Sequence, residues 1–111
     1  MSRVTNAILT AQVHQGDSDP EIDSVNRFLQ ETEGGGGGEF IEATRHAGGT
    51  KQMECRVYLS AFNHADTDVI LLAVDQAPWR EKDIVQLFIK EQGGDVFLLR
   101  YSGVSAQNAT S

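Results

Sequence analysis

Two Gly-Gly pairs, each set between stretches in which apolar and polar residues alternate, constrain the fold of this chain more than any other feature. The pairs are Gly48-Gly49 and Gly93-Gly94. Glycine tolerates the positive φ angles that two-residue hairpin turns demand, so each pair predicts a β-hairpin. The first hairpin is predicted over residues 40–62 and the second over residues 83–101. For the second region, a helix over 78–92 that ends at Gly93 is the alternative.

A strand and a helix are predicted ahead of the first hairpin. Apolar and polar residues alternate from Val4 to His14, which is typical of a half-buried strand. Asp19 then suits a helix N-cap, and Pro20 suits the first helical position, where a missing N–H costs nothing. The apolar residues that follow share one helical face, which predicts an amphipathic helix of about fourteen residues. They are Ile22, Val25, Phe28 and Leu29.

The run Gly34 to Gly38 separates that helix from the first hairpin. Each glycine in a helix costs about 1 kcal/mol relative to alanine, so five in succession predict a flexible loop over 34–38. A phosphate-binding loop needs a Lys-Ser or Lys-Thr pair, or spaced glycines at the start of a helix. This run leads into a strand instead, and we therefore do not predict nucleotide binding.

A second helix is predicted over residues 66–77. Asp66-Thr67-Asp68 provides capping and acidic residues at its start, and Pro78 ends it. The apolar residues between these points share one helical face, although a fully buried strand is the alternative interpretation. They are Val69, Ile70, Ala73, Val74 and Ala77.

These elements together predict an α+β fold. The expected architecture is a two-layer sandwich, in which two helices cover one face of an antiparallel sheet. The element order matches a ferredoxin-like βαββαβ arrangement with an extra C-terminal strand. Residues 1–102 are predicted to form a single domain, and residues 103–111 a disordered C-terminal tail.

The charge of the chain is acidic and unevenly distributed. The net charge is −7, with −6 in residues 1–44 and −1 in residues 45–111. Acidic surfaces repel phosphate backbones, so we predict no nucleic-acid binding.

The longest apolar run, Val69 to Val74, is far shorter than a bilayer requires, so we predict no membrane contact and a cytoplasmic location. Cys55 is the one cysteine, which excludes an internal disulfide.

Strand alternation predicts which side chains of the first hairpin face the core. If Gly48-Gly49 is the turn, Glu42 lies opposite Cys55, and we favour a β-bulge that shifts this pairing. The predicted core-facing residues are Met53, Cys55, Val57, Leu59 and Ala61. The predicted outward residues are Glu54, Arg56, Tyr58, Ser60, Phe62 and His64, together with Asn6, Ile8, Thr10, Gln12, His14, Gln86, Phe88 and Lys90 of the other strands. Aromatic residues and arginine among polar groups are typical of protein interfaces.

Our first functional hypothesis is a small acidic protein-binding module without catalytic activity, such as an inhibitor or immunity-type protein for a basic partner. The predicted contact residues are Glu54, Arg56, Tyr58, Phe62, His64, Asp19, Glu21, Asp23 and Trp79. For Trp79 we favour a structural role, in which it closes one end of the core and its indole N–H donates to a carbonyl, and contact with a partner is the alternative.

The second hypothesis is a homo-oligomeric domain that binds a small molecule or catalyses a simple reaction. Two copies would then meet through the open sheet face, and a pocket would be lined by His14, Arg56, Tyr58 and His64. We predict no cofactor and no metal. The spacing of His46, Cys55 and His64 matches no compact zinc-ligand pattern, and no local motif marks a catalytic nucleophile.

Overall fold

The computed structural model of the protein describes residues 4–12, 20–35, 38–44, 48–51, 53–63 and 65–103. Along the described chain, one strand is followed by two helix-strand-strand units. They are β1 (Val4–Ala11), α1 (Pro20–Glu31), β2 (Ile41–Glu42), β3 (Arg56–Asn63), α2 (Thr67–Gln76), β4 (Gln86–Glu91) and β5 (Leu98–Ser102). A short 3-10 helix at Lys82–Ile84 precedes β4.

The five strands form one antiparallel sheet in the order β2-β3-β1-β4-β5. Helix α1 connects β1 to β2, and β3 lies between those two strands. Helix α2 connects β3 to β4, and β1 lies between them. The sheet and the two helices confirm the predicted α+β class.

The hydrophobic core lies between the helices and one face of the sheet. Both helices and the three central strands contribute buried apolar side chains to one cluster. Its main members are Ile22, Val25 and Leu29 of α1, Ile70, Ala73 and Val74 of α2, Ala7, Leu9 and Ala11 of β1, Tyr58 and Phe62 of β3, and Leu87 and Ile89 of β4. Because successive side chains of a strand point to opposite faces, the residues between these point away from the helices.

The structure confirms the predicted first strand and first helix, as well as the second helix and the second hairpin. Helix α2 has Asp66 as its N-cap, and the Asp66 carboxylate accepts a hydrogen bond from the Asp68 backbone N–H at 2.9 Å. The second hairpin is formed by β4 and β5, and Gly93 in its turn has φ +87°. The strand interpretation of residues 83–101 is therefore correct, and the alternative helix over 78–92 is not formed.

The predicted register of the first hairpin is wrong. Glu42 lies opposite Tyr58 and not opposite Cys55, so the pairing is shifted by three residues. An odd shift reverses the face to which every side chain of a strand points. Tyr58 and Phe62 therefore face the core, which contradicts their predicted outward placement, while Leu59 and Ala61 are exposed.

Aromatic packing explains why β3 has this orientation. Tyr58 and Phe62 are almost fully buried together with Phe40, and the rings of Phe40 and Phe62 pack edge to face with centroids 5.5 Å apart. Each aromatic side chain buries roughly 150–250 Å². The alternative face of β3 offers smaller side chains such as Ala61, so turning the aromatic residues inward removes more apolar surface from water.

The first residues of the glycine run contact both helices. The Gly34 carbonyl accepts a hydrogen bond from the Asp66 backbone N–H at 2.7 Å. A Cβ on Gly35 would lie 1.9 Å from the Leu29 carbonyl oxygen, so only glycine fits this position. The loop thus joins the end of α1 to the start of α2. Residues 36–37 lie outside the described residues, and the flexibility of 34–38 stays a prediction.

The boundary between the domain and its C-terminal tail also stays a prediction. Gly103 is buried, and its N–H donates to the Val85 carbonyl at 3.0 Å. The rest of the predicted tail lies outside the described residues. Among the residues that the structure describes, no helix has the length and apolar character needed to cross a membrane.

Candidate functional site

The sheet face that points away from the helices carries one apolar side chain on each of its five strands. From one sheet edge to the other these residues are Ile41, Leu59, Ile8, Phe88 and Leu99, which we call the apolar row. Each lies directly opposite the next in the strand pairing, so the five side chains are contiguous. Ile41, Leu59 and Leu99 are 61%, 44% and 50% exposed.

Two shorter rows flank the apolar row on the three central strands. One contains Val57, Thr10 and Gln86, and the other contains Ala61, Asn6 and Lys90. We call the three rows together the open face. Lys90 is the one charged side chain in these rows. The Asn6 side-chain amide N–H donates to the Lys90 backbone carbonyl at 3.1 Å. The open face is therefore largely apolar and carries no acidic group in its three rows.

The helix layer on the other side of the molecule is acidic. Exposed carboxylates lie on both helices and on the segments next to them, and we call them the acidic layer. They are Asp23, Glu31, Glu33, Asp66, Asp68 and Asp75. The protein thus has two chemically distinct surfaces, one apolar and one acidic.

A polar cluster of Asp75, Lys82 and Tyr101 ties β5 to the end of α2. The Tyr101 hydroxyl donates to Asp75 Oδ1 at 2.9 Å, and Lys82 Nζ lies 2.8 Å from the same oxygen. These contacts lower the pKa of Asp75, the hydrogen bond from Lys82 being the larger cause.

The same contacts keep the other two groups of the cluster protonated. The hydrogen bond to Asp75 raises the pKa of Lys82, while burial, followed by the hydrogen bond to Asp75, raises the pKa of Tyr101. All three groups are held in their ordinary charge states at neutral pH. A carboxylate that acts as a general base needs a raised pKa, and a lysine that acts as a nucleophile needs a lowered pKa. The shifts here are the opposite, so the cluster is suited to holding β5 against α2.

Arg56, predicted to contact a partner, forms an ion pair within the protein. Its guanidinium lies 2.6 Å from Glu42 Oε2, and the Arg56 side chain is only 14% exposed. Next to this pair, the Thr44 hydroxyl accepts a hydrogen bond from the Val57 backbone N–H at 2.9 Å. Arg56 lies opposite Ala11 on the core-facing side of the sheet. These contacts hold β2 against β3.

Several other predicted contact residues are buried. Tyr58 and Phe62 belong to the core, and Glu21 is 2% exposed, with Glu21 Oε1 3.5 Å from the Arg80 guanidinium. These three side chains offer almost no surface to a partner. The structural role predicted for Trp79 is confirmed, because it is buried and its indole N–H donates to the Val74 carbonyl at 2.7 Å.

The remaining predicted contact residues divide into two groups. Glu54 and Asp23 are exposed, and their contact with a partner stays a prediction. Asp19, His14 and His64 lie outside the described residues.

Among the described residues, two buried side-chain acceptors have no hydrogen-bond partner. They are Oε1 of Gln12 and Oε2 of Glu21. A buried polar atom in this condition costs about 1–3 kcal/mol, which a water or a ligand amine would offset by donating to it. No group of three or more metal-ligating side chains occurs in the part of the chain that the structure describes.

Sequence reasoning missed most of the apolar row. Ile8 and Phe88 were predicted to point outward, but Leu59 was assigned to the core, and Ile41 and Leu99 were not selected. The signal that was available is that β3 carries apolar side chains at both odd and even positions.

Comparison of the chain with protein-family models, curated proteins and solved structures gives no match.

Proposed function

We propose that the protein is a protein-binding module whose binding surface is the open face. The apolar row is the single observation that carries this proposal. An antiparallel sheet that has one face in water normally presents polar side chains on that face. Here all five strands present an apolar side chain, and three of these are more than two-fifths exposed. Contiguous apolar surface of this kind marks interaction sites in folded proteins.

We infer a ferredoxin-like βαββαβ arrangement, with β5 added beside β4, as the scaffold of this surface. What supports this inference is that each helix connects two strands separated by one other strand. In such a scaffold both helices cover one face of the sheet, and the other face is available to a partner.

A matched pair of variants tests the proposed surface. Leu59→Lys places a charge in the middle of the apolar row, and Leu72→Lys places the same charge on α2, where Leu72 is 57% exposed. Both positions are exposed, so both variants are expected to fold. Wild type and the two variants are each immobilised. They are then exposed either to the purified chain in solution or to cell extract, and the amount of bound protein is compared between them.

We expect immobilised wild type and Leu72→Lys to bind the same protein in equal amounts, and Leu59→Lys to bind much less of it. Retention by Leu59→Lys at the wild-type level would contradict the proposal. Equal loss by both lysine variants would also contradict it, since the open face would then have no special role.

The acidic layer supports a second candidate function, the binding of a basic protein as an inhibitor or immunity-type protein would do. Its exposed carboxylates lie on the side of the molecule opposite the open face. Neutralising part of this layer with Asp23→Asn and Glu31→Gln would weaken such binding and leave binding through the open face unchanged. If these two substitutions left the binding of a basic protein unchanged and weakened binding through the open face, the acidic layer would not be the binding surface for a basic protein.

A further inference from the structure

We infer that the open face binds a second copy of this chain, so that two sheets pack face to face about a two-fold axis near Ile8. This inference rests on the proposed function, because it names the partner of the same surface. Three properties of the described residues carry it: the symmetry of the apolar row, its size, and the position of the charges.

The apolar row is self-complementary. Ile8 is at its centre on β1, with two strands on each side. A two-fold axis parallel to β1 in the plane between two sheets places Ile8 against Ile8. It also places Leu59 against Phe88, and Ile41 against Leu99. Every apolar side chain of the row then faces an apolar side chain of the other copy, as a symmetric dimer interface requires.

The open face provides a substantial part of the area that a stable dimer needs. Its three central strands, about 4.8 Å apart, span roughly 14 Å, and six residues of strand extend about 20 Å, while β2 and β5 add one residue each. The projected area is therefore about 350 Å², and the side chains that project from the sheet raise the accessible area above that. Val96 and Phe97, which precede β5, are also exposed apolar side chains. Specific interfaces begin at about 600 Å² per partner.

The positions of the charges favour a copy of this chain over a basic partner at the open face. Lys90 is the charged group in its three rows, and it would repel a basic surface. Face-to-face packing places the two acidic layers on the outside of the dimer. With layers about 10 Å apart, the acidic layers are roughly 30 Å from each other, well beyond the screening length of about 8 Å in physiological salt.

Sedimentation equilibrium of the full chain over a wide concentration range tests this inference. We expect wild type and Leu72→Lys to form dimers with the same dissociation constant. Leu59→Lys should weaken dimerisation by about tenfold or more, because the symmetric interface contains the substitution twice. A wild type that stays monomeric throughout would overturn the inference, and so would a dimer that Leu59→Lys leaves unchanged.

A second measurement tests the proposed packing without altering the sequence. In a mixture of methyl-labelled and unlabelled chain, nuclear Overhauser effects between copies are expected at the Ile8 and Leu59 methyl groups and not at Leu72. Effects between copies that arise elsewhere would overturn the two-fold arrangement.

The failure of the inference and the failure of the proposed function are distinguishable. Suppose that the chain is monomeric, but that immobilised wild type binds another protein from the extract and Leu59→Lys does not. The open face then binds a different partner, and only the inference fails. If Leu59→Lys changes neither measurement, both fail.

Discussion

Gly35 is a residue at which the backbone leaves no room for a side chain, although its φ angle is not positive. It is buried after the end of α1, and a Cβ there would overlap the Leu29 carbonyl oxygen. We expect Gly35→Ala to lower the free energy of unfolding by about 1–3 kcal/mol, because either the loop or the helix end must move. Denaturant titration measures this loss.

Gly48→Ala is the matched control for this prediction. A Cβ on Gly48 would meet no atom within 4 Å. Alanine there is expected to leave stability unchanged or to raise it by about 0.4–1 kcal/mol, since it restricts the unfolded chain. Equal effects of the two substitutions would contradict the close packing at Gly35.

Asp75 is the residue through which we expect acid to loosen the contact between α2 and β5. Its pKa is lowered in the folded protein by the hydrogen bond from Lys82 and then by that from Tyr101. A lowered pKa stabilises the fold above the unfolded value, which is near 4, and this contribution is lost as pH falls through the folded pKa. The pair is on the surface, so the contribution at pH 7 is roughly 0.2–1 kcal/mol.

Asp75→Asn should therefore be less stable than wild type at pH 7, and the difference should disappear near pH 2. The pKa values of Lys82 and Tyr101 are raised, so their contributions are present at neutral pH and are lost at alkaline pH, above about 10. Denaturant titrations of both proteins across this range check the prediction. A difference that persists unchanged at pH 2 would contradict the role of the Asp75 carboxylate.

At the scale of elements, strand β3 determines which chemistry the protein presents to its surroundings. Phe62 faces the core and Leu59 faces outward. Phe62→Leu should lower stability by about 1 kcal/mol or more, because it leaves a cavity beside Phe40. Leu59→Ala should cost less than about 1 kcal/mol in the monomer, measured by denaturant titration at low protein concentration. The opposite ranking would restore the orientation that strand alternation predicted.

The strength of local signals explains which elements could be predicted from the sequence. Helix α2 has a capping aspartate, an apolar face and a proline after its end, and the second hairpin has Gly93-Gly94 between clearly alternating strands. In β3, apolar side chains occupy both odd and even positions, so alternation does not decide between the faces. The packing of Phe40 on Phe62 decides, and this contact joins residues that are distant in sequence.

The candidate site was missed for the same reason. The apolar row combines one residue from each strand, and its contiguity depends on the strand order and on four pairings. Neither can be obtained from a single strand. Gly48-Gly49 also gave a misleading signal, since both residues lie in a longer connection between β2 and β3 and do not form a two-residue turn.

At the scale of the whole molecule, the dependence of association on salt separates the two kinds of partner. Two copies that each carry a net charge of −7 repel each other, so raising salt from 10 mM to 150 mM should strengthen a dimer that forms through the open face. A basic protein held by the acidic layer should dissociate over the same range. Sedimentation at both salt concentrations makes this comparison. Dimerisation that weakens as salt rises would contradict packing through a largely uncharged face.

The most direct test of the open face as the binding surface is the accessibility of its methyl groups to a dissolved paramagnetic agent. In dilute protein, the Leu59 and Leu99 methyl signals should broaden as strongly as that of Leu72. As concentration rises, the Leu59 and Leu99 signals should become protected while that of Leu72 stays broadened. Leu59 and Leu99 signals that stay as accessible as that of Leu72 at every concentration, with and without cell extract, would contradict the account.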